Sequence, residues 1–179
     1  YDNLMMVTEL DRSTRVWLFL AFLAAFAIKV PLFPLHTWIM ATYKNAPTGA
    51  VFILSSIMAK LGVYAIVRFL IPIFPDVYVE YATWFVIIGL FGLVYFGIAA
   101  LMQDDIKRMF AYSSASHLSF IAAGVFSLNS YGINGALYLI IAHAIATGAL
   151  FLLVGLMQEQ TGFKTIKDLG GIAKKAPIF

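Results

Sequence analysis

Four ionisable residues lie in the middle of long apolar segments of the chain. They are two lysines and two histidines: Lys29, Lys60, His117 and His143. A lysine at the centre of a membrane helix costs about 2.5–3.5 kcal/mol on insertion scales, whereas a leucine contributes only about 0.3–0.6 kcal/mol. Ionisable residues at such a depth face a protein interior or water, and a functional role is the first hypothesis for them.

Hydroxyl side chains lie about one helical turn from three of these four residues. Ser56 precedes Lys60, Ser113 and Ser114 precede His117, and Thr147 follows His143. This spacing puts each hydroxyl on the same helix face as its ionisable neighbour. Because histidine titrates near neutral pH and burial favours the uncharged form of an amine, the set suits a proton relay. The alternatives are histidines that only hydrogen-bond a neighbouring helix and lysines that stay permanently ion-paired.

The segment FAIKVPLFPLHTW, residues 26–38, contains Lys29 and two prolines. Pro31 and Pro34 lack an amide donor and clash with the preceding turn, so we expect the helix to break there. A break at membrane depth is tolerated only where protein or water covers the freed carbonyls, and discontinuous helices recur at transporter ion sites. A purely structural kink is the alternative. His36 either faces the same axis or caps the second half-helix, and we leave it outside the relay.

The composition identifies the elements that must position these residues. Of the 179 residues, 62% are hydrophobic and 12% charged, whereas soluble domains carry about 25% charged residues. We therefore predict an all-α, polytopic membrane helix bundle. The chain starts at Tyr1 rather than Met, so we expect it to be a fragment of a larger bundle. With no cysteine, and no glycine-rich phosphate loop, metal-ligand cluster or nucleophile–base pair, the sequence supports no cofactor, metal or enzyme active site within this piece.

Five windows have the roughly 20 apolar residues that a transmembrane helix needs. They are about Val16–Met40, Thr48–Ile71, Tyr81–Met102, Met109–Leu128 and Tyr131–Met157. Residues 1–157 are thus predicted to form a transmembrane domain. Residues 158–179 are predicted to be a cytoplasmic amphipathic loop that leads to a further helix, with Ile166, Leu169 and Ile172 on a short surface helix. The 41–47 loop, the 103–108 loop and the tail lie on one side of the membrane and together carry seven lysines and arginines, whereas the other side carries three. The excess of basic residues predicts that the side with seven is cytoplasmic.

Five sequence blocks follow one another along the chain. They are residues 26–38, AlaProThr at 46–48, AlaLysLeuGlyValTyr at 59–64, AspIleLysArgMetPheAlaTyrSerSerAlaSerHis at 105–117 and IleAlaHis at 141–143. In this order and spacing, over nearly the whole chain, they resemble the antiporter-like, proton-conducting membrane subunits of respiratory complex I. MetAlaLysLeuGly and the ArgPhe at 68–69 are more similar to the M branch, the counterpart of mitochondrial subunit 4, than to the L branch. The N branch and the cation/proton antiporter subunits remain alternatives.

The resemblance implies that Lys29 is the central lysine of a broken helix and that Lys60, His117 and His143 form the chain of protonatable groups beyond it. It implies proton translocation coupled to electron transfer in an NADH-quinone oxidoreductase, with NADH, flavin, iron–sulfur clusters and ubiquinone bound by other subunits. The implied partners are other membrane-arm subunits and the lipid bilayer, with no nucleic acid. We expect the bacterial inner membrane rather than the mitochondrial one. A Na⁺/H⁺ antiporter subunit, with Na⁺ as the coupling ion, or a structural spacer without a relay is the alternative.

Two features depart from the family pattern or lie outside it. Members usually have LeuProAspAlaHis after the tryptophan, whereas this chain has IleMetAlaThrTyr at 39–43. Roles that the family assigns to those side chains are therefore not carried over. The glutamate that pairs with the first lysine and the exit-side residue belong to helices outside this piece, so the relay predicted here lacks both ends.

Overall fold

The computed structural model describes residues 9–170, and these residues form six helices and no strand. The helices are α1 Arg12–Lys29, α2 Thr37–Asn45, α3 Thr48–Ile73, α4 Pro75–Leu101, α5 Ile106–Val125 and α6 Ser130–Thr161. A one-turn 3-10 helix follows at Lys167–Leu169. The predicted all-α fold is confirmed for this part of the chain.

Each of the five predicted windows is occupied by helix, and three helices are long and apolar enough to cross a membrane. These are α3, α4 and α6. The first window is divided between α1 and α2, as its two prolines predict. The fourth window is α5, which is rich in serine and has its polar residues turned largely inward, with Ser114, Ser116 and Ser119 all buried.

Local sequence signals explain where the helices begin and end. The carboxylate of Asp11 accepts a hydrogen bond from the backbone N–H of Thr14 at 3.2 Å, and the Thr14 side chain and backbone lower the pKa of this carboxyl. Asp105 caps α5 and Asn129 caps α6 in the same way, with bonds of 2.9 and 2.7 Å to a backbone N–H three residues later. Such caps satisfy the free amides of a first helical turn. Gly162, with φ of +72°, ends α6 in the left-handed conformation that glycine favours.

The helices pack around two apolar clusters. The larger includes Phe19, Ile66 and Leu118, and the smaller includes Tyr43 and Phe151. Helix α4 lies against α5 along most of its length. Their close approach depends on Gly89, where a Cβ would lie 2.9 Å from the Ser119 carbonyl oxygen.

The two ends of the bundle are closed differently. At one end, Arg12 binds Glu80 and Arg15 binds Asp76, each at 2.6 Å, which ties α1 to α4. At the other end, residues 162–170 return across the start of α5. There the N–H of Ile106 donates to the Lys164 carbonyl at 3.2 Å and the N–H of Ile166 donates to the Asp104 carbonyl at 2.9 Å.

The predicted short surface helix after residue 157 is described only in part, because the structure describes the chain to residue 170. Helix α6 continues to Thr161, residues 162–164 are not helical, Thr165 pairs with Asp105 in an isolated bridge, and only Lys167–Leu169 forms a helical turn. Backbone pairing with the loop before α5 replaces the helical hydrogen bonds. Ile172 and the rest of 171–179 lie outside the described residues.

Candidate functional site

The helix break lies directly after Lys29. Helix α1 ends at Lys29, residues 30–36 form turns, and α2 begins at Thr37. Pro31 and Pro34 therefore lie inside the break, as predicted. Lys29 occupies the last turn of α1, where a cation interacts favourably with the negative end of the helix dipole.

The protein itself supplies donors for the carbonyl groups that the break frees. The N–H of Val30 donates to the Phe26 carbonyl at 2.8 Å, and the N–H of Leu32 donates to the Ala27 carbonyl at 3.0 Å. The indole Nε1 of Trp38, on α2, donates to the Ile28 carbonyl on α1 at 3.0 Å. The Trp38 bond spans the gap between the half-helices. Sequence reasoning missed this role of Trp38.

Lys60 is buried, with 6% of its surface exposed. It follows the π-helical turn Leu54–Met58 within α3, and such turns are frequent at functional sites. Its Nζ donates to the carbonyl oxygen of Ser55 and to Oγ1 of Thr147 on α6, the latter at 3.3 Å. Lys60 is thus held by one partner on its own helix and by one on a neighbouring helix.

The hydroxyl groups are arranged differently from the sequence prediction. Ser56 donates to the Phe52 carbonyl at 2.6 Å, and the Lys60 amine instead reaches the Ser55 carbonyl. Thr147 donates to the backbone carbonyl of His143 at 2.6 Å rather than to its ring. Since Thr147 also accepts from Lys60, it links the lysine of α3 to the histidine helix, a contact that helical spacing alone does not reveal.

The two histidines come together across α5 and α6. The ring centroids of His117 and His143 are 5.3 Å apart. His143 is 5% exposed, and neither ring nitrogen has a hydrogen-bond partner among residues 9–170, whereas His117 lies at the exposed surface of α5. Within the described residues, His143 therefore lies in the protein interior and His117 lies at the surface.

A small cavity of about 80 Å³ joins these groups. Its polar lining consists of Ser113, Ser114, His117, His143 and Thr147. The Ser114 hydroxyl is buried and has no partner among the described residues. A cavity of this volume has room for water, and the polar side chains among its lining residues offer it hydrogen-bonding partners. The geometry can therefore pass a proton between Thr147, which contacts Lys60, and the two imidazole rings.

Lys29 does not join this cavity. It is half-buried and makes no hydrogen bond or ion pair within residues 9–170. Its Cβ lies close to α3, because a Cβ built on Gly62 would be 3.1 Å from it. The backbone of Lys29 thus lies beside the helix that carries Lys60, and no direct hydrogen bond joins the two amines.

His36 does not cap α2. It occupies the N-cap position without a side-chain cap bond, and its ring packs against Phe33 and Phe96 with centroid distances of 5.8 and 4.6 Å. The ring is buried, and its Nδ1 has no partner in the described part of the chain. His36 therefore contributes to an aromatic cluster beside the break. It does not line the cavity that His117 and His143 share.

Comparison with known proteins places this arrangement in context. The model of the family described as NADH:quinone oxidoreductase/Mrp antiporter, TM, matches residues 2–179. NADH-ubiquinone oxidoreductase chain 4 of Marchantia polymorpha is 35% identical over 99% of the chain and 36% of that protein. NADH-quinone oxidoreductase subunit M of Rickettsia prowazekii is 40% identical over 88% of the chain and 32% of that protein.

A solved structure shows the same helical arrangement. One chain of respiratory complex I from Thermus thermophilus with bound NADH matches with a TM-score of 0.87 and 38% identity, over 94% of this chain and 36% of that one. The chain thus spans about a third of the length of the relatives that it matches.

Proposed function

Because the chain belongs to the NADH:quinone oxidoreductase/Mrp antiporter transmembrane family, we propose that it translocates protons as part of the membrane arm of an NADH-quinone oxidoreductase. The relatives' names, which are subunit M and chain 4 of such enzymes, support this assignment. The other membrane-arm subunits would be its partners. NADH, flavin, iron–sulfur clusters and quinone would be bound elsewhere in the complex, since the sequence offers no residues for them.

One observation carries the proposal: a buried lysine and a buried histidine share a threonine within the membrane bundle. Lys60 donates to Thr147, and Thr147 donates to the backbone of His143, whose ring faces His117. Buried polar groups are normally hydrogen-bonded, yet both His143 ring nitrogens have no partner within residues 9–170. These nitrogens are therefore available to accept and release a proton.

We propose three proton transfers in sequence. A proton leaves Nζ of Lys60, whose amine becomes neutral, and moves through water to a ring nitrogen of His143, which becomes an imidazolium. His143 then passes a proton to His117 through the shared cavity. Lys60 recovers its charge by taking a proton from the side of Lys29. Each step moves one proton and leaves the donor one positive charge lower.

Lys29 would control the first step electrostatically. An opposite charge within about 4–6 Å stabilises a charged amine, and Lys29 has no such partner among residues 9–170. We propose that a carboxylate from the remainder of the polypeptide approaches and withdraws from Lys29, which changes its proton affinity. The resulting change of charge would be felt by Lys60 on the adjacent helix.

The decisive experiment replaces Lys60 in the full-length protein, assembled in its complex and reconstituted into proteoliposomes. Lys60→Met keeps the length and apolar stem of the side chain but removes the transferable proton. We expect the protons pumped per electron to fall at least tenfold. Lys164→Met, which changes an exposed lysine of the tail, should leave pumping unchanged.

Two results would contradict the proposal. Normal pumping in the Lys60→Met complex, with normal electron transfer, would leave the chain as a structural spacer. Wild-type transport that stops without Na⁺ and produces no proton current would make Na⁺ the transported ion. Assembly of the variant complex is checked by gel filtration, so that loss of folding is separated from loss of transfer.

A further inference from the structure

A second cavity, of about 380 Å³, opens at the end of the bundle opposite to the Arg12–Glu80 pair. Its polar lining comes from α2 and the first two turns of α5. These side chains are Thr37, Lys44, Asn45, Arg108 and Tyr112, and Met40 forms part of the apolar wall. Residues 64 positions apart in the chain thus bring two cations to one opening.

The cations of this cavity are not neutralised within residues 9–170. The ion pairs of that region involve Arg12, Arg15 and Lys167, and neither Lys44 nor Arg108 takes part in one. The nearby acids are otherwise engaged. Asp105 accepts from the backbone N–H of Arg108 at 2.9 Å as the cap of α5, and Asp104 lies 4.0 Å from Lys167. Both cations of the cavity are therefore available to an anionic ligand.

Lys107 is a third cation in the first turn of α5, next to the cavity residue Arg108. It is adjacent to Arg108, is 8% exposed, and forms no ion pair in the described part of the chain. The first turn of α5 also directs the positive end of a 20-residue helix dipole towards this end of the bundle. The two cations of the cavity and the neighbouring Lys107 thus favour an anion at this end of the bundle.

The walls of the cavity indicate which kind of anion fits. Met40 is buried and Tyr112 is half-buried, and both lie on the side that continues along the helices into the membrane. A ligand that fills this cavity meets cations at its mouth and apolar surface beside it. Arginine binds phosphate in a bidentate manner, and basic pockets between membrane helices on the cytoplasmic side recognise lipid head groups.

We propose that this cavity binds the phosphodiester head group of an anionic phospholipid, with Lys44 and Arg108 as the phosphate ligands. Tyr112 and Asn45 donate further hydrogen bonds, and the acyl chains follow the outer surface of α2 and α5. The site uses none of the relay residues, so it is independent of the proposed function. It also assigns a ligand to basic residues that otherwise only set the orientation in the membrane.

The test measures lipid retention by the full-length protein in its complex. The complex is purified in detergent, exposed to equal amounts of phosphatidylglycerol and phosphatidylcholine, and the lipids retained after washing are counted by mass spectrometry. We expect the wild type to retain phosphatidylglycerol preferentially. Lys44→Gln and Arg108→Gln should each weaken that retention about fivefold, the effect of about 1 kcal/mol for each basic residue at the membrane surface.

Lys164→Gln is the matched control, because it removes one exposed lysine at the same end of the bundle but outside the cavity. Equal loss in this variant would reduce the effect to general surface charge and overturn the site. Unchanged retention in Arg108→Gln would also overturn it, and is the result expected if an acidic side chain of the remaining polypeptide fills the cavity. Displacement of phosphatidylglycerol by millimolar inorganic phosphate would assign the cavity to free phosphate instead. Electron transfer, measured in parallel, shows whether each variant complex is intact.

Discussion

The surroundings of Lys60 and of Lys29 differ sharply, although both lysines lie within predicted membrane segments. Lys60 is buried in an unbroken helix and has two fixed partners, Ser55 and Thr147. Lys29 is half-buried at the end of a helix and has no ionic or hydrogen-bond partner within residues 9–170. One amine is positioned by the bundle, and the other depends on groups beyond the described residues.

The bundle thus positions a lysine amine in one of two ways: with fixed hydrogen-bond partners or without them. Fixed hydrogen bonds hold an amine at one place. An amine at a helix end beside a break can change partner, because the backbone that follows it is not tied into a helix. In the proposed function, Lys60 therefore transfers the proton and Lys29 controls its release.

The largest expected effect is that of Lys29→Arg. A guanidinium keeps the positive charge but does not release its proton near neutral pH, so proton pumping by the full-length complex should be lost, by at least tenfold. The half-buried position should accommodate the larger side chain without loss of assembly. The measurement is the number of protons pumped per electron in proteoliposomes. Full pumping in this variant would show that Lys29 supplies only charge, and would contradict its proposed control of proton transfer.

The next effect concerns Gly62, where the two lysine regions touch. An alanine methyl group there would lie 2.5 Å from Cγ2 of Val30 and 3.0 Å from the Phe26 carbonyl oxygen. Such overpacking costs about 1–3 kcal/mol, so Gly62→Ala should lower the thermal unfolding midpoint. Gly135→Ala is the control, because nothing lies within 4 Å of a Cβ at Gly135 and alanine favours the helix. Equal behaviour of the two variants would mean that α1 and α3 are not in close contact.

A smaller effect is expected for Thr147→Val, which removes the hydroxyl between Lys60 and the histidine helix. The loss of one hydrogen bond from a charged donor corresponds to about 1.5 kcal/mol. We expect a slower proton transfer rate at unchanged electron input, measured with a pH-sensitive dye in proteoliposomes. Thr147→Ser, which keeps the hydroxyl, should restore the rate. If the serine and valine variants give the same rate, the hydrogen bond from Lys60 to the Thr147 hydroxyl does not contribute to proton transfer.

The smallest effect is that of Trp38→Phe on the Lys29 side. The substitution removes the indole N–H that binds the Ile28 carbonyl across the break, which should reduce the free energy of unfolding by about 1 kcal/mol. Trp84→Phe changes a tryptophan with 64% exposure and serves as the control. The readout is the unfolding midpoint in one detergent. A Trp38 effect no larger than that of Trp84 would show that the break is held by other contacts.

The fold and family could be predicted well from the sequence. Long apolar windows predict membrane helices, and the prolines at 31 and 34 predict the break that separates α1 from α2. The resemblance to the antiporter-like family is confirmed by the family match over residues 2–179. The pairing of Thr165 with Asp105 could not be predicted, because the pattern of Ile166 and Leu169 contains no information about the distant loop before α5.

The candidate site was predicted less completely. Spacing along one helix finds hydroxyl groups that share a face, but it does not identify partners on other helices. Thr147 was therefore assigned to His143 and not to Lys60, and Ser56 was chosen although the Ser55 carbonyl is the acceptor. The π turn that places Ser55 there has no distinct sequence signature. The exposed position of His117 depends equally on the packing of neighbouring helices.

The backbone pairing between residues 104–106 and 164–166 has a mechanical consequence. The two hydrogen bonds of Ile106 and Ile166 fasten the segment after α6 to the first residues of α5, which carries His117. Force applied to the chain near Gly170 is thereby transmitted to α5 instead of being absorbed by a slack connection. A displacement of residues 164–166 along the bundle therefore also shifts the first residues of α5.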